Sequence, residues 1–198
     1  MSKGEITRQR IIKEAAPLFN QRGFAGCSIQ DVMDATGLEK GALYRHFSSK
    51  EELAVAAFLY ATTRSTRTRT EGLDEIEGTV DRLRCLVRRF VETPSVMPGG
   101  CPLMNTAIDC DDGNPTLRRL ALDGIQAWKG RIARIVEEGI ERGEVRRQVE
   151  PRRIANTIVA TLEGALMVSR LEGNKVALQD AGVSLDGMLD GLRCGEHR

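Results

Sequence analysis

The sequence is poor in the residues that most often carry chemistry. Only two of its 198 residues are histidine, His46 and His197, which leaves little for histidine-based catalysis. The five cysteines, Cys27, Cys85, Cys101, Cys110 and Cys194, are scattered and never form a C-x-x-C pair. That argues against a disulfide framework and a zinc module, and a reduced cytoplasmic setting is expected. Aromatic residues are 4% of the chain, too few to favour a stacking cage for a large aromatic ligand. The longest apolar run, Ala54 to Ala61, falls far short of the ~20 residues that span a bilayer. No apolar segment stands behind the first charges, as a secretion signal requires. Sustained alternation of period two, the mark of half-buried strands, is absent. Net charge is close to nil, with 29 basic and 28 acidic residues, so the chain as a whole advertises no acidic partner.

What is present is a soluble globular composition with a local charge asymmetry. Apolar residues are 41% and charged residues 29%, which excludes a disordered chain. Residues 1–50 carry eight Lys/Arg and five Asp/Glu, a net of +3, and the remainder carries 21 and 23, a net of −2. The basic excess therefore sits at the N-terminus.

Apolar positions recur with helical period almost throughout. Ile11, Ala15, Leu18 and Phe19 share one face, as do Ile29, Val32 and Met33. Further stripes run from Ile76 to Val91 and from Leu117 to Val136. The spacing predicts an all-α protein of about nine helices. Helix starts are marked by Asn114-Pro115 and by Pro151, since proline suits the first helical position. Ser49 with Glu52 reads as a capping box, and Ser28 with Asp31 as a looser version. Thr93 to Gly100 reads as a loop. The stretch Asp109 to Asn114 fits no calcium loop, and reads as a helix end followed by acids favourable near the next helix N-terminus. No metal or other cofactor is expected.

Residues 28–47 carry the informative motif, SIQDVMDATGLEKGALYRHF. A short helix meets a tight turn at Thr36-Gly37-Leu38, and a second helix follows over about Lys40 to Phe47. This is the plan of a helix-turn-helix, whose second helix enters the DNA major groove. On that helix Leu43 and Phe47 set the inward face. At ~100° per residue Gly41 and Arg45 point away from it, flanked by Ala42 and Tyr44. Glu39 and Lys40 stand at its start, His46 belongs to the same DNA face, and Lys50 is placed to hold phosphate. The competing reading is a core helical hairpin with a solvated basic face.

From Thr7 to Leu53 the chain resembles the DNA-binding domain of the TetR family of transcriptional regulators. The match rests on Thr7, Arg8, Ile11, Ala15, Leu18, Phe19, Gly23, Phe24, Ser28, Ile29, Val32 and the run TGLEKGALYRHFSSKEEL. It implies an N-terminal three-helix DNA-binding domain over residues 1–50 and a larger helical ligand-binding and dimerisation domain over 51–198. It also implies that Tyr44, Lys50 and Ser28 touch the DNA backbone, while Lys40, Ala42 and Arg45 lie on the groove-facing surface. Glu39 departs from the family pattern, where a small or hydroxyl residue is frequent; a carboxylate there repels phosphate but can accept from cytosine N4. Family members are typically homodimeric repressors, released from a palindromic operator by a small ligand. For this chain the ligand's identity is open.

If that architecture holds, the last two helices form the dimer surface, with Ile154, Ile158, Leu162 and Ala165 on one and Leu185, Met188, Leu189 and Leu192 on the other, and with Gly164 and Ala165 small enough to let helices approach closely. The alternative is that these stripes complete the subunit core. Wall candidates for a ligand pocket are Phe90, Met97, Cys101, Met104, Asn105, Ile108 and Trp128, each of which also suits ordinary core. Cys101 precedes Pro102, which places its thiol at a helix N-cap, where the helix dipole lowers a thiol pKa. Gly99 and Gly100 are expected to leave its approach uncrowded. A thiol-based sensor with Cys110 as second cysteine, a cysteine enzyme, and a small-molecule-binding protein without DNA activity are the competing functions. The enzyme lacks a positioned base, because His46 is on the DNA face and His197 is in the tail.

Overall fold

The computed structural model describes residues 2–194, and His197 lies outside them. Among the described residues there are nine α-helices and no strand, only an isolated antiparallel bridge between Val145 and Arg193. In chain order these are α1 (Lys3–Gly26), α2 (Ile29–Thr36), α3 (Lys40–Tyr44), α4 (Lys50–Thr70), α5 (Thr79–Glu92), α6 (Pro102–Asp109), α7 (Pro115–Glu141), α8 (Pro151–Glu172) and α9 (Val176–Asp190). A 3-10 turn, Leu73–Glu75, precedes α5.

The helix starts follow the local chemistry. Ser28 and Asp31 close a full reciprocal box: Ser28 Oγ accepts the Asp31 N–H at 3.1 Å and Asp31 Oδ2 accepts the Ser28 N–H at 2.7 Å. Asn114 Oδ1 accepts the Leu117 N–H at 2.8 Å, with Pro115 as the first helical residue. The Ser49–Glu52 box is half right. Ser49 Oγ accepts the Glu52 N–H, but the Glu52 carboxylate reaches one residue further back, to the N–H and hydroxyl of Ser48.

The chain forms two compact units. One holds the chain up to Thr66 together with Ser95–Gly124; the other holds Arg67–Pro94 and the described chain from Ile125. The grouping differs from a break after residue 50, because α4 continues to pack on α1 through Ala57, Ala61 and Ala16. In the first unit Ile11, Ala15, Val32, Leu43, Phe47 and Leu53 make one core, and Ala54, Phe58, Cys110, Leu117 and Ala121 make another.

The core of the second unit is built from α5, the C-terminal part of α7, α8 and α9. The stripes expected at a dimer surface lie here. Ile158, Leu162, Leu185, Leu189 and Leu192 are buried within the unit, with Ile154, Ala165 and Met188 packed against them. Five of the eight residues expected at the dimer surface are thus part of the subunit core. α8 and α9 bury these apolar faces against each other and against α5. Among the described residues α8 is the one helix long and apolar enough to cross a membrane; its Ile158–Leu162 face is spent on this core.

Candidate nucleic-acid interface

α2 ends because Gly37 takes a left-handed conformation, φ 66° and ψ 23°, and its N–H bonds to the Met33 carbonyl at 2.8 Å. A residue with a Cβ reaches that conformation at a cost. The chain then turns into α3, which Leu43 and Phe47 fasten to the core; both are almost fully buried. α3 is shorter than its expected span. It stops at Tyr44, and Arg45 to Phe47 form the following turn, closed by the His46 and Phe47 N–H groups on the Leu43 carbonyl. Phe47 must reach inward beneath Arg8, whose guanidinium lies 4.6 Å from its ring centre, and the turn lets it do so.

The outward surface follows from this anchoring. Glu39, Lys40, Gly41, Tyr44 and Arg45 are exposed. Ala42 and His46 are half-buried, so they sit at the edge of that surface rather than at its centre. A Cβ added at Gly41 would meet nothing within 4 Å, so the backbone there is open to close approach. Glu39 makes no side-chain cap to α3, which leaves its carboxylate on the outer face.

Two expected phosphate contacts have intramolecular partners. The Ser28 hydroxyl caps α2 and also bonds Asp31 Oδ2 at 2.7 Å. The Asp31 carboxyl is pulled down to about 2, first by Ser28 and then by Arg22, and that charge steadies the start of the helix. Lys50 opens α4 and is half-buried, with Nζ 4.5 Å from the centre of the Phe24 ring. Its ammonium is positioned by an aromatic face, not left free in solvent.

The family model of the TetR regulators, described as bacterial regulatory proteins, matches residues 11–57, and a tetracyclin repressor-like C-terminal domain matches residues 79–184. The second match spans more than half of the chain. The chain belongs to the TetR family. A TetR transcriptional regulator from Chloroflexus aurantiacus J-10-FL is similar in structure, with a TM-score of 0.93 and 43% identity, covering 98% of this chain and 100% of that one. A TetR-family regulator from Cytophaga hutchinsonii gives 0.91 and 33%, with 99% of each chain covered. The HTH-type transcriptional repressor DhaR of Mycobacterium sp. strain GP1 is 26% identical over 172 residues, 86% of each chain.

In this TetR-family regulator the seven expected wall residues are divided between the two units. Phe90 and Trp128 belong to the second unit, where they stack on each other. Met97, Cys101, Met104, Asn105 and Ile108 belong to the first. Met97 packs on Ala16, Ala57 and Ala61 as core. Asn105 is committed to main-chain recognition, donating to the Asn20 carbonyl at 3.0 Å and the Gly99 carbonyl at 2.7 Å. Met104 is half-buried, and Ile108 is exposed.

Cys101 does precede α6, with Pro102 at the first position, yet it is only 6% exposed. Gly99 does not leave open space there: a Cβ on it would stand 2.9 Å from the Asn20 carbonyl oxygen. Cys110 is buried too, and burial, followed by the Asp109 charge, pushes its thiol up to about 11.

The junction of α6 and α7 has a role that is not legible in the sequence. Asp109 Oδ2 accepts the Phe24 N–H at 2.7 Å. Glu51, next to Lys50, accepts from Asn114 Nδ2 at 2.5 Å and from the Thr116 hydroxyl at 3.0 Å. The acidic run gave no sign of this, because its partners lie more than sixty residues away in the chain.

Proposed function

We propose that this regulator is a homodimeric repressor that reads a palindromic operator with α3 and releases it on binding a small molecule. The observation that carries the DNA reading is the exposed face of Lys40, Gly41, Tyr44 and Arg45, held outward by buried Leu43 and Phe47. Arg45 is the residue for base edges, since arginine binds guanine bidentately. Tyr44 and Lys50 are the residues for phosphate, Glu39 and Lys40 stand on the same exposed face, and Ser28, Ala42 and His46 border it. The name of DhaR favours repression. Such a protein acts in the cytoplasm, and the scattered cysteines agree with that setting.

The dimer surface on this reading is the opposite face of α8 from the one first expected. Ala160, Gly164, Met167 and Leu171 follow one another at helical spacing and are exposed, Leu171 by 82%. Val176 and Val183 of α9 are exposed as well. Gly164 has no atom within 4 Å of a Cβ built on it, which suits close approach of a second helix. Reading both halves of a palindromic operator requires two recognition helices ~34–36 Å apart, one turn of DNA, which is why a dimer is proposed.

Selection of bound fragments from the source genome, followed by titration of the selected duplex and a random duplex at low and high salt, tests the reading. Both affinities should fall as salt rises, with the selected site retaining its advantage. Failure to enrich any fragment would remove the DNA function. The thiol-sensor and cysteine-enzyme readings have less support, because Cys101 and Cys110 are buried.

A further inference from the structure

α1 is not continuous to its end. At Gly23 the backbone leaves the helix, with φ 73° and ψ 174°, a conformation that a side chain would strain. The kink turns the Phe24 N–H away from the carbonyl of Asn20, four residues earlier, its ordinary helical acceptor. Both groups are then taken up by α6. Asn105 Nδ2 donates to the Asn20 carbonyl at 3.0 Å, and Asp109 Oδ2 accepts from the Phe24 N–H at 2.7 Å. Asn105 and Asp109 stand four residues apart and so share one face of α6. A pair of side chains has been inserted into the ladder of α1, one at each end of a broken rung, and such insertion is a recognised cause of helix kinks.

The fit is close. A Cβ built on Gly23 would collide with the Asp109 carboxylate, which occupies the space that only glycine leaves. Asn20 is itself buried, and its amide donates onward to the Pro98 carbonyl at 2.7 Å. What the splice holds is the start of the DNA-reading motif. Phe24 follows the kink, its ring carries Lys50 Nζ, and Ser28 opens α2 four residues later. The neighbouring Glu51 is gripped from the far side of the same turn by Asn114 and Thr116.

We infer that Asp109, on α6 and outside the three-helix segment, is a positioning residue for operator binding. With Asn105 it sets the direction in which the chain leaves α1, and so places Phe24 and Lys50 relative to the recognition surface. The inference rests on the DNA-binding reading above. An unspliced kink would leave a buried carbonyl and a main-chain N–H to find other partners, and the segment from Phe24 to Ser28 would lose its fixed direction.

The test uses the full-length protein and the duplex that the wild type selects from a random-sequence library. Asp109→Ala should weaken binding to that duplex by roughly tenfold, the order expected for losing a hydrogen bond to a charged group. Asp109→Asn, which keeps an acceptor for Phe24, should restore it to within roughly threefold. In the same samples, hydrogen exchange at the Phe24 amide should be slow in the wild type, fast in Asp109→Ala and slow again in Asp109→Asn. Lys50→Ala should cost less in the Asp109→Ala background than alone, because Lys50 has already lost its placement. Wild-type affinity in Asp109→Ala would overturn the inference while leaving DNA binding intact. If Asp109→Ala does not fold, fast exchange of the Phe24 amide in the wild type, or a tenfold loss in a folded Asp109→Asn, overturns it. If the wild type selects no duplex, it is the DNA-binding reading that fails.

Discussion

The single tryptophan, Trp128, lies nearly parallel to Phe90, with ring centres 5.6 Å apart and 15° between the planes. On Phe90 there is also the Arg69 guanidinium, 4.4 Å from the ring centre. Both rings were candidates for a ligand wall, yet Phe90 is 3% exposed and packs in the core of the second unit. Phe90→Ala should therefore lower stability by ~3–5 kcal/mol, the range for truncating a buried phenylalanine. Urea unfolding followed by the fluorescence of Trp128 measures it directly. A loss below about 1 kcal/mol would mean that the stack is not part of the core.

Arg45 stands at the C-terminal end of α3, exposed, beside the buried Leu43–Phe47 anchor. Arg45→Ala is expected to cost ~1–3 kcal/mol on the selected operator and to relax the base preference there. Lys50→Ala should weaken all duplexes alike and reduce the salt slope by about one. Competition binding with operator variants separates the two. Unchanged affinity in Arg45→Ala would show that another residue of the surface reads the bases.

The two faces of α8 make opposite predictions. Leu171→Glu changes a residue that is exposed in the subunit, so the chain should stay folded but sediment as a monomer. Ile158→Ala changes a fully buried residue, so it should lose ~2–5 kcal/mol of stability first. Sedimentation and thermal unfolding of both variants distinguish the faces. A dimeric Leu171→Glu at micromolar concentration would move the dimer surface elsewhere.

Glu144 joins the end of α7 to the start of α5. It accepts from Arg142 Nε and from the Thr79 N–H, each at 2.6 Å. Its carboxyl is held down from the ordinary 4.5 to about 2, first by Arg142 and then by Thr79. Because the folded value lies below the unfolded one, the contribution is complete above about pH 4.5 and is lost as pH falls towards 2. Glu144→Gln should lower Tm at pH 7, and the gap to the wild type should close through that window. Asp31 titrates in an overlapping range, so the difference between the two proteins is the quantity to follow. The pair is partly exposed, so salt should shrink the effect. A gap that stays constant down to pH 2 would assign the loss to packing instead.

Local signals sufficed wherever a neighbour in sequence was the physical partner. The helical period, the Gly37 turn, the Ser28 box and the proline starts each involve residues within about four positions, so the all-α architecture and the anchoring of α3 by Leu43 and Phe47 were legible directly. Resemblance to the TetR family rested on the same compact stretch, where one motif serves both folding and recognition. Which of two helix faces meets solvent was not legible in α8. Its Ile158–Leu162 stripe is the more apolar, and the subunit core took it, leaving Ala160, Gly164, Met167 and Leu171 exposed. The same competition made core of Met97 and Phe90, and buried Cys101 beneath an approach that two glycines had suggested was open. The splice of α1 by Asn105 and Asp109 lay furthest from sequence reasoning. Nothing in an asparagine or an aspartate names a main-chain group some eighty-five residues away. Only folding brings the broken rung and its replacement together, because a hydrogen bond acts over about 3 Å and the chain between its partners carries no trace of it.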